Sequence, residues 1–578
     1  MVVRRAALAM LAAVLLLVPA HRALGATTTL WPGVTFAQTI QVTPSGPVVV
    51  DVLTGPRPGG ATTLRTFLTS GQLTQRQTLT AAERQLAPTV TLAGINGDFF
   101  NFASAQPSGV LMQDGQLLSE PSPDRSSAGV TADGTLEVGR VALSSTWQAL
   151  AGSHAITAFN RPPGAGGVAL FTPAWGPTTP ALPGSVAAVL FPFPATMPGI
   201  PLGSAVQEIT SGQAVPIPPG GAVLVARGAA AQTLQTEAPV GMPITVLLTL
   251  NPSWSGTVQA IGGGPQIVRD GAPVLNAGEA FLASQLVPAA PRSAIGQLAD
   301  GRIVLVAVDG RQPGWSVGLT NFQLGQTLAR LGAVTAFALD SGGSTTMAFN
   351  GTLLNRPSDG RERPITTALA FAYTGALATA SLPTVSPNGD GVDDTESLAY
   401  KIVDLSSVTA TLTAPDGSVA STQSSDAQAP GTYQVPFPPA QQTPAQGVWK
   451  LTVTATDDLG AQTTMTRSFT VDDSIGFLQT SAPRLFLPPG GRDLTISWQM
   501  GAPARVVATV ETKAGVVLRT LAVGRYAVGD RSVVWNGLDR TGKRPKGGVY
   551  QAHLVARSAF GTVELVKTFT IRQIAGSS

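Results

Sequence analysis

Phe337-Ala338-Leu339-Asp340-Ser341-Gly342-Gly343-Ser344-Thr345-Thr346 is the stretch on which the fold of this chain turns. An apolar run ends in a carboxylate and then breaks into glycines and hydroxyls. That is the pattern of a buried strand delivering its last side chain to a pocket. Just upstream, Thr320 and Gln323 form a capping box, and Leu324, Leu328 and Leu331 make an apolar stripe at helical spacing that stops at Gly332. This predicted helix lies between two apolar runs, Ile303 to Val308 and Val334 to Leu339. If the two strands are parallel, their connection is expected to be right-handed. Asp309 follows the first run and Asp340 closes the second, so parallel neighbouring strands would bring both carboxylates out at one sheet edge, where ligands of open α/β sheets sit. Asp309-Gly310 reads equally well as a plain turn. Downstream, Asn355-Arg356-Pro357-Ser358-Asp359-Gly360-Arg361-Glu362-Arg363 packs charge densely in a chain of which only 12% is charged.

Composition excludes several chemistries. There is no cysteine, which removes thiol nucleophiles, disulfides and cysteine zinc sites. Of three histidines, His21 falls in a leader-like segment, and His154 and His553 lie far apart, which disfavours a Ser-His-Asp triad or an all-histidine metal site. Catalysis would then fall to carboxylates, arginines, hydroxyls and backbone amides. The 36 basic and 33 acidic residues nearly balance and form no basic stripe with interleaved aromatics, so nucleic acid is not an expected partner.

Residues 1–25 read as an export signal: Arg4 and Arg5, an apolar core from Ala6 to Val18, then small residues. That core is shorter than the about 20 residues needed to span a bilayer, and no later stretch is long and apolar enough. The expected location is therefore secreted, extracellular or cell envelope, with no membrane span in the mature chain.

From about residue 29 to 375 the chain alternates strand-like runs, such as Val48 to Leu53 and Ala222 to Ala226, with Gly/Pro turns. Pro162 to Leu202, rich in Pro and Gly, reads as an insert, either a specificity loop or filler. After Leu382 the turn-rich, acidic run Ser386 to Asp394 opens two segments, 383–473 and 478–573, of short strands without helical pattern. These are expected to be β-sandwiches with Trp498 and Trp535 in their cores. The predicted fold is an α+β, mixed-sheet N-terminal domain followed by two all-β immunoglobulin-like sandwiches.

Four segments of the first region, Gly94-Ile95-Asn96-Gly97-Asp98-Phe99-Phe100, Gly262 to Val268, Arg292-Ser293-Ala294-Ile295-Gly296 and Val308 to Gln312 running on to the Asp340 loop, resemble in order and content the phosphodiester glycosidase family. The resemblance covers roughly Trp31 to Tyr373. It implies hydrolysis of a sugar-1-phosphate diester in envelope or extracellular polysaccharide. Such a substrate suits arginine forks, with Arg292 and Arg363 as first candidates and Arg311 third. Asp340 is the leading catalytic carboxylate, with Glu362 and Asp98 next; a phosphate leaving group departs readily, so a single carboxylate can suffice. Asp98 also reads as a turn residue. Asn96, Asp309, Ser344 and Thr345 are candidates to hold sugar hydroxyls or phosphate oxygens, and Asn355 to fix the loop carrying Glu362. Ser341 stands where the family typically has glycine. If that position needs positive φ, the loop changes shape, which favours a rival reading as a non-catalytic glycan-binding surface protein. A third reading is an exopolysaccharide accessory factor.

The C-terminal segments resemble immunoglobulin-like modules of flagellar-hook-capping type, through Val534-Trp535-Asn536-Gly537-Leu538-Asp539 and Gly547-Gly548-Val549-Tyr550. They are expected to serve as spacers or envelope attachment. Asn388, Asp390 and Asp393 carry oxygens at a spacing open to a structural Ca²⁺ or, equally, to a hydrogen-bonded turn. His553 reads as a strand residue rather than a ligand. A divalent ion at the catalytic carboxylates stays open.

Overall fold

A computed structural model describes residues 27–149, 151–275, 278–379, 382–439, 444–488 and 491–574. The export-signal reading therefore falls outside the described residues. The molecule is β-rich, 52% strand against 6% helix. Helix is reduced to short accessories on sheets, and the chain divides into two compact units, one ending at Thr374 and one starting at Gly375.

The first unit is organised around an eight-stranded sheet whose middle runs Gly46–Gly55, Ile303–Val308, Arg292–Leu298, Ala333–Ala338, Gln266–Arg269. Arg292–Leu298 pairs antiparallel with both Ile303–Val308 and Ala333–Ala338. Those two strands therefore run parallel to each other one strand apart, and Asp309 and Asp340 leave the sheet at the same edge, beside the start of the Arg292 strand. The connecting helix, Asn321–Arg330, has the capping box between Thr320 and Gln323. It buries Leu324 and Leu328 in a core with Ile267, Val304, Val306 and Val308. Leu331 is 41% exposed, because the helix has ended one residue earlier. Every residue of Ile303–Val308 and Arg292–Leu298 is buried. Ile303–Val308, covered on both faces, accordingly reads as a continuous apolar run, whereas Arg292–Leu298 buries Arg292, Ser293 and Gln297 among its apolar residues.

A second, five-stranded sheet carries Thr91–Asn96 between Met347–Phe349 and Thr367–Tyr373, with the helix Leu79–Leu86 packed on it. Its Phe371 ring lies where a Cβ on Gly55 would be, 2.3 Å away, so the two sheets approach closely at that glycine. A third sheet of five strands contains Ser126–Thr131 and Thr257–Ile261. Between them, strands from Ala142 to Asn251 build a separate eight-stranded sheet with its own core, including Trp147, Phe159 and Leu224. Pro162 to Leu202 is thus neither loop nor filler. It supplies the buried strands Val168–Phe171 and Ser185–Leu190 of this inserted sheet.

The second unit holds two sandwiches of one plan, each a three-stranded sheet with a five-stranded one. Trp449, Trp498 and Trp535 are buried in them. His553, on the strand Gly548–Arg557, has Nδ1 3.1 Å from Glu511 and Nε2 3.5 Å from Glu564. In the 386–394 run, Asp390 accepts from the amides of Val392 (2.9 Å) and Phe477 (2.7 Å), and Asn388 Oδ1 from that of Asp390 (3.0 Å). Asp394 accepts from Gly389 and Gly391, both at 2.7 Å, while the carbonyl of Asp393, whose φ is +53°, accepts from the Ser386 amide at 2.8 Å. Those oxygens are engaged as a hydrogen-bonded turn. Among the described residues no three His, Asp or Glu side chains group as a metal site.

Candidate active site

At the edge where the two parallel strands end, the Asp340 loop meets the loop after Thr91–Asn96. The Asp340 amide donates to the Gly97 carbonyl (2.9 Å), and the Asn96 side-chain amide donates to the Asp340 carbonyl (2.8 Å). Asn96 is fully buried; its Oδ1 accepts from the Ser293 hydroxyl (2.6 Å) and the Thr346 amide (3.1 Å). It ties three segments together rather than facing a ligand. Ser344 and Thr345 are also buried, in the short 3₁₀ turn after Asp340 or just beyond it.

Two carboxylates come together here, Asp340 and Asp98. Asp340 Oδ1 accepts from the Ser341 amide at 2.8 Å, and the Ser344 hydroxyl also bonds to the carboxylate. Burial nonetheless pushes Asp340 up to about 6, with Arg363 acting to lower it. Asp98 is buried, its Oδ2 accepting from the Gly109 amide at 2.7 Å and its Oδ1 lacking a hydrogen-bond partner. Burial raises it to about 7, and the charge of Asp340 adds to the rise. The glycine run fits this crowding: a Cβ on Gly262 would lie 2.5 Å from Asp98 Oδ2, and one on Gly263 2.8 Å from the Ala338 carbonyl.

Arginines surround the pair. Arg363 donates to Asp359 (3.1 and 2.7 Å) and to the Ser344 hydroxyl (3.4 Å), above Gly343, where no side chain would fit. Arg311 is exposed, its guanidinium over Gly342, and has no hydrogen-bond partner among the described residues. Arg125 was not singled out from the sequence. Its guanidinium lies 4.6 Å from the Phe281 ring centre and 5.5 Å from that of Phe99, close enough to Asp98 to act on its carboxyl group. It too has no side-chain hydrogen bond among the described residues. The only signal was a cation in a charge-poor chain, and both of its aromatic partners are remote in sequence.

Other sequence candidates are committed elsewhere. Arg292 is buried, and its guanidinium donates to the carbonyls of Leu319 (2.9 Å), Gln285 (2.8 Å) and Pro288 (2.7 Å). Burial, with Arg311 nearby, lowers it to about 10. Both oxygens of Glu362 accept from Thr80, from the amide at 2.9 Å and the hydroxyl at 2.6 Å, at the start of the helix Leu79–Leu86. Asp309 accepts from the Trp315 indole (2.8 Å), the Asn355 side-chain amide (3.1 Å) and the Arg356 amide (3.1 Å), and burial raises its pKa. Asn355 therefore braces Asp309 and, through its Oδ1, the Met347 amide (2.8 Å) rather than Glu362.

Ser341 has φ −125° and ψ −175°, extended backbone open to any residue. The positive φ falls one residue later, at Gly342, at +68°. The serine imposes no strain on the loop.

Residues 201–372 match the family model for phosphodiester glycosidases. The chain is also similar to the SPbeta prophage-derived uncharacterized protein YomE of Bacillus subtilis (strain 168), with 41% identity over 83 residues, 14% of this chain and 13% of that protein. It thus spans a small part of that relative. Among solved structures, a hypothetical protein from Synechocystis is similar at 26% identity with a TM-score of 0.51, over 60% of this chain and 63% of that one. The catalytic domain of zebrafish N-acetylglucosamine-1-phosphodiester alpha-N-acetylglucosaminidase, auto-inhibited by its pro-peptide, is similar at 15% identity with a TM-score of 0.33, over 61% and 86%. The Gly262 run, the Arg292 strand and the Asp340 loop all fall inside the matched span, the part of the chain that is similar to phosphodiester glycosidases.

Proposed function

We propose that the first unit hydrolyses sugar-1-phosphate diesters of envelope or extracellular polysaccharide, in an exported protein whose C-terminal sandwiches act as spacer or attachment. The observation that carries this reading is the Asp98–Asp340 pair, raised to about 7 and about 6, at a sheet edge lined by arginines. Two carboxyl groups with separated pKa values divide the acid and base roles. Asp340, whose carboxylate accepts from Ser341 and Ser344 and faces Arg363, serves as base or nucleophile, while Asp98, disfavoured as a charge by burial and by Asp340, donates a proton to the departing oxygen. Arg125 and Arg311, with unoccupied donors, and Arg363 beside Ser344 would hold the phosphate. Aromatic rings on Arg125 restrict its motion, so less ordering is required when it binds.

Released sugar would be measured from a panel of sugar-1-phosphate diesters, using the mature chain, Asp340→Asn, Asp98→Asn and Arg125→Ala. The carboxylate variants are expected to lose about 10²–10⁴-fold in kcat, and Arg125→Ala chiefly to raise KM. Saturable binding of the diesters without turnover by folded wild type would replace this reading with a glycan-binding surface protein. The extended conformation of Ser341 removes the sequence feature that had favoured that rival.

A further inference from the structure

Between the core of the first unit and the inserted sheet lies a cavity of about 310 Å³, near the lower end of the about 300–1,000 Å³ usual for ligand sites. Two of its walls continue directly into the candidate active site. Ser108 precedes Gly109, whose amide holds Asp98 Oδ2 at 2.7 Å. Ser122 accepts through its carbonyl from the Arg125 amide at 3.2 Å. The opposite wall, with Leu143, Phe159 and Asn160, comes from the inserted sheet or its edge.

Apart from the outer donors of Arg161, whose charge is paired with Glu120 through Nε, the free groups in this cavity are neutral. Gln106 Nε2 is buried without a hydrogen-bond partner. The hydroxyls of Ser108, Ser119 and Ser122 have no hydrogen-bond partner among the described residues. The cavity's two charged side chains cancel: Glu120 Oε1 lies 2.7 Å from Arg161 Nε, and Glu120 Oε2 accepts from the Phe159 amide at 2.9 Å. Apolar surface from Leu73, Leu143 and the prolines completes the lining. An amide, three hydroxyls and apolar walls complement a molecule that carries hydroxyls on a C–H framework and no net charge. A phosphate would find no unpaired cation here.

We infer that this cavity is a subsite for a neutral saccharide unit, walled on one side by the inserted sheet and placed beside the Asp98–Arg125 region. The site would then engage a glycan chain rather than a lone sugar phosphate. The inference takes from the proposed function only the expectation that the ligand is a glycan.

The test reads binding, not turnover. Maltotriose, cellotriose, chitotriose and mannotriose would each be titrated into the mature full chain, with affinity followed by calorimetry and protein-observed NMR. At least one is expected to bind at millimolar concentration. Ser122→Trp, which fills the cavity, should abolish binding. Gln106→Ala, a smaller change, should weaken it by up to about 10-fold, the span of one hydrogen bond. Asp340→Asn should bind as wild type does, and an unchanged melting temperature would show that each variant is folded. No binding by any of the four trisaccharides overturns the inference. So does binding lost in Asp340→Asn and kept in Ser122→Trp, since the sugar would then occupy the carboxylate site. Trisaccharide binding in a protein that hydrolyses no diester leaves the subsite standing and removes the enzyme reading; hydrolysis without trisaccharide binding does the reverse.

Discussion

Glu362 is the residue on which sequence and structure part most sharply, and replacing it separates the two readings. Both of its oxygens are committed to Thr80 at the first turn of Leu79–Leu86, where the helix dipole also favours a negative charge. Glu362→Gln keeps an acceptor for the Thr80 amide and loses the charge. A charge-assisted hydrogen bond contributes about 1.5–3 kcal/mol and the helix-end charge about 0.3–1 kcal/mol. The glutamine carbonyl keeps a neutral hydrogen bond of about 0.5–1.5 kcal/mol to the Thr80 amide, which offsets part of that loss. The net cost of Glu362→Gln should be roughly 1–2 kcal/mol. Glu362→Ala, which leaves both Thr80 groups unmet, should cost roughly 2–3 kcal/mol. At about 2 °C per kcal/mol for a domain of this size, the melting temperature falls by a few degrees in each case. Activity per folded molecule should stay within about threefold of wild type, against the about 10²–10⁴-fold expected for a group moving a proton. The assays are thermal unfolding and diester hydrolysis normalised to folded protein. A loss beyond about 100-fold in Glu362→Gln, with melting unchanged, would refute the helix-end role and return Glu362 to the chemistry.

Glu83 is buried and raised from 4.5 to about 8, chiefly by burial, so the folded state holds its proton more tightly than the unfolded chain does. Its contribution is complete below about pH 4.5 and is lost as pH rises through about 8, a span of roughly 3–5 kcal/mol. Urea unfolding of the first unit at several pH values should show stability falling across that window, and falling less in Glu83→Gln; equal slopes would contradict the assignment. If Asp340 acts ionised and Asp98 protonated, kcat/KM should trace a narrow bell with limbs near 6 and 7. A missing alkaline limb would mean that the phosphate leaves without a proton donor. Gly262→Ala sets a methyl 2.5 Å from Asp98 Oδ2, and the overpacking should cost about 1–3 kcal/mol and most of the activity. Near-normal turnover in that variant would show that Asp98 is free to move or is not needed.

What the sequence disclosed follows from how local each signal is. The helix Asn321–Arg330 was legible because its capping box and apolar stripe are written within a dozen residues, and the strand Ile303–Val308 because it is buried on both faces; Ala333–Ala338 buries its last three residues and leaves Val334 exposed. The shared edge for Asp309 and Asp340 followed from that unit once the strands proved parallel. The destinations of long side chains were not legible. An arginine opening an apolar strand reads the same whether it faces a phosphate or, as Arg292 does, three backbone carbonyls. Glu362 meets a helix 282 residues earlier in the chain, and Arg125 meets Phe281 from across the unit. The inserted sheet was hidden because Val168–Phe171 and Ser185–Leu190 are short runs separated by Pro and Gly, which read as loop.

The two C-terminal sandwiches share a feature with a mechanical meaning. In the second, Arg484–Leu487 near the beginning lies parallel to Thr562–Gln573 at the end, paired from Arg484 with Thr570 to Leu487 with Gln573. In the first, Thr384–Val385 lies parallel to Gln462–Val471 in the same way. Tension along the chain pulls such a pair of parallel strands past each other lengthwise. The hydrogen bonds between them then share the load, instead of opening one after another as in a hairpin peeled from its free end. Two residue pairs share that load in the first sandwich and four in the second.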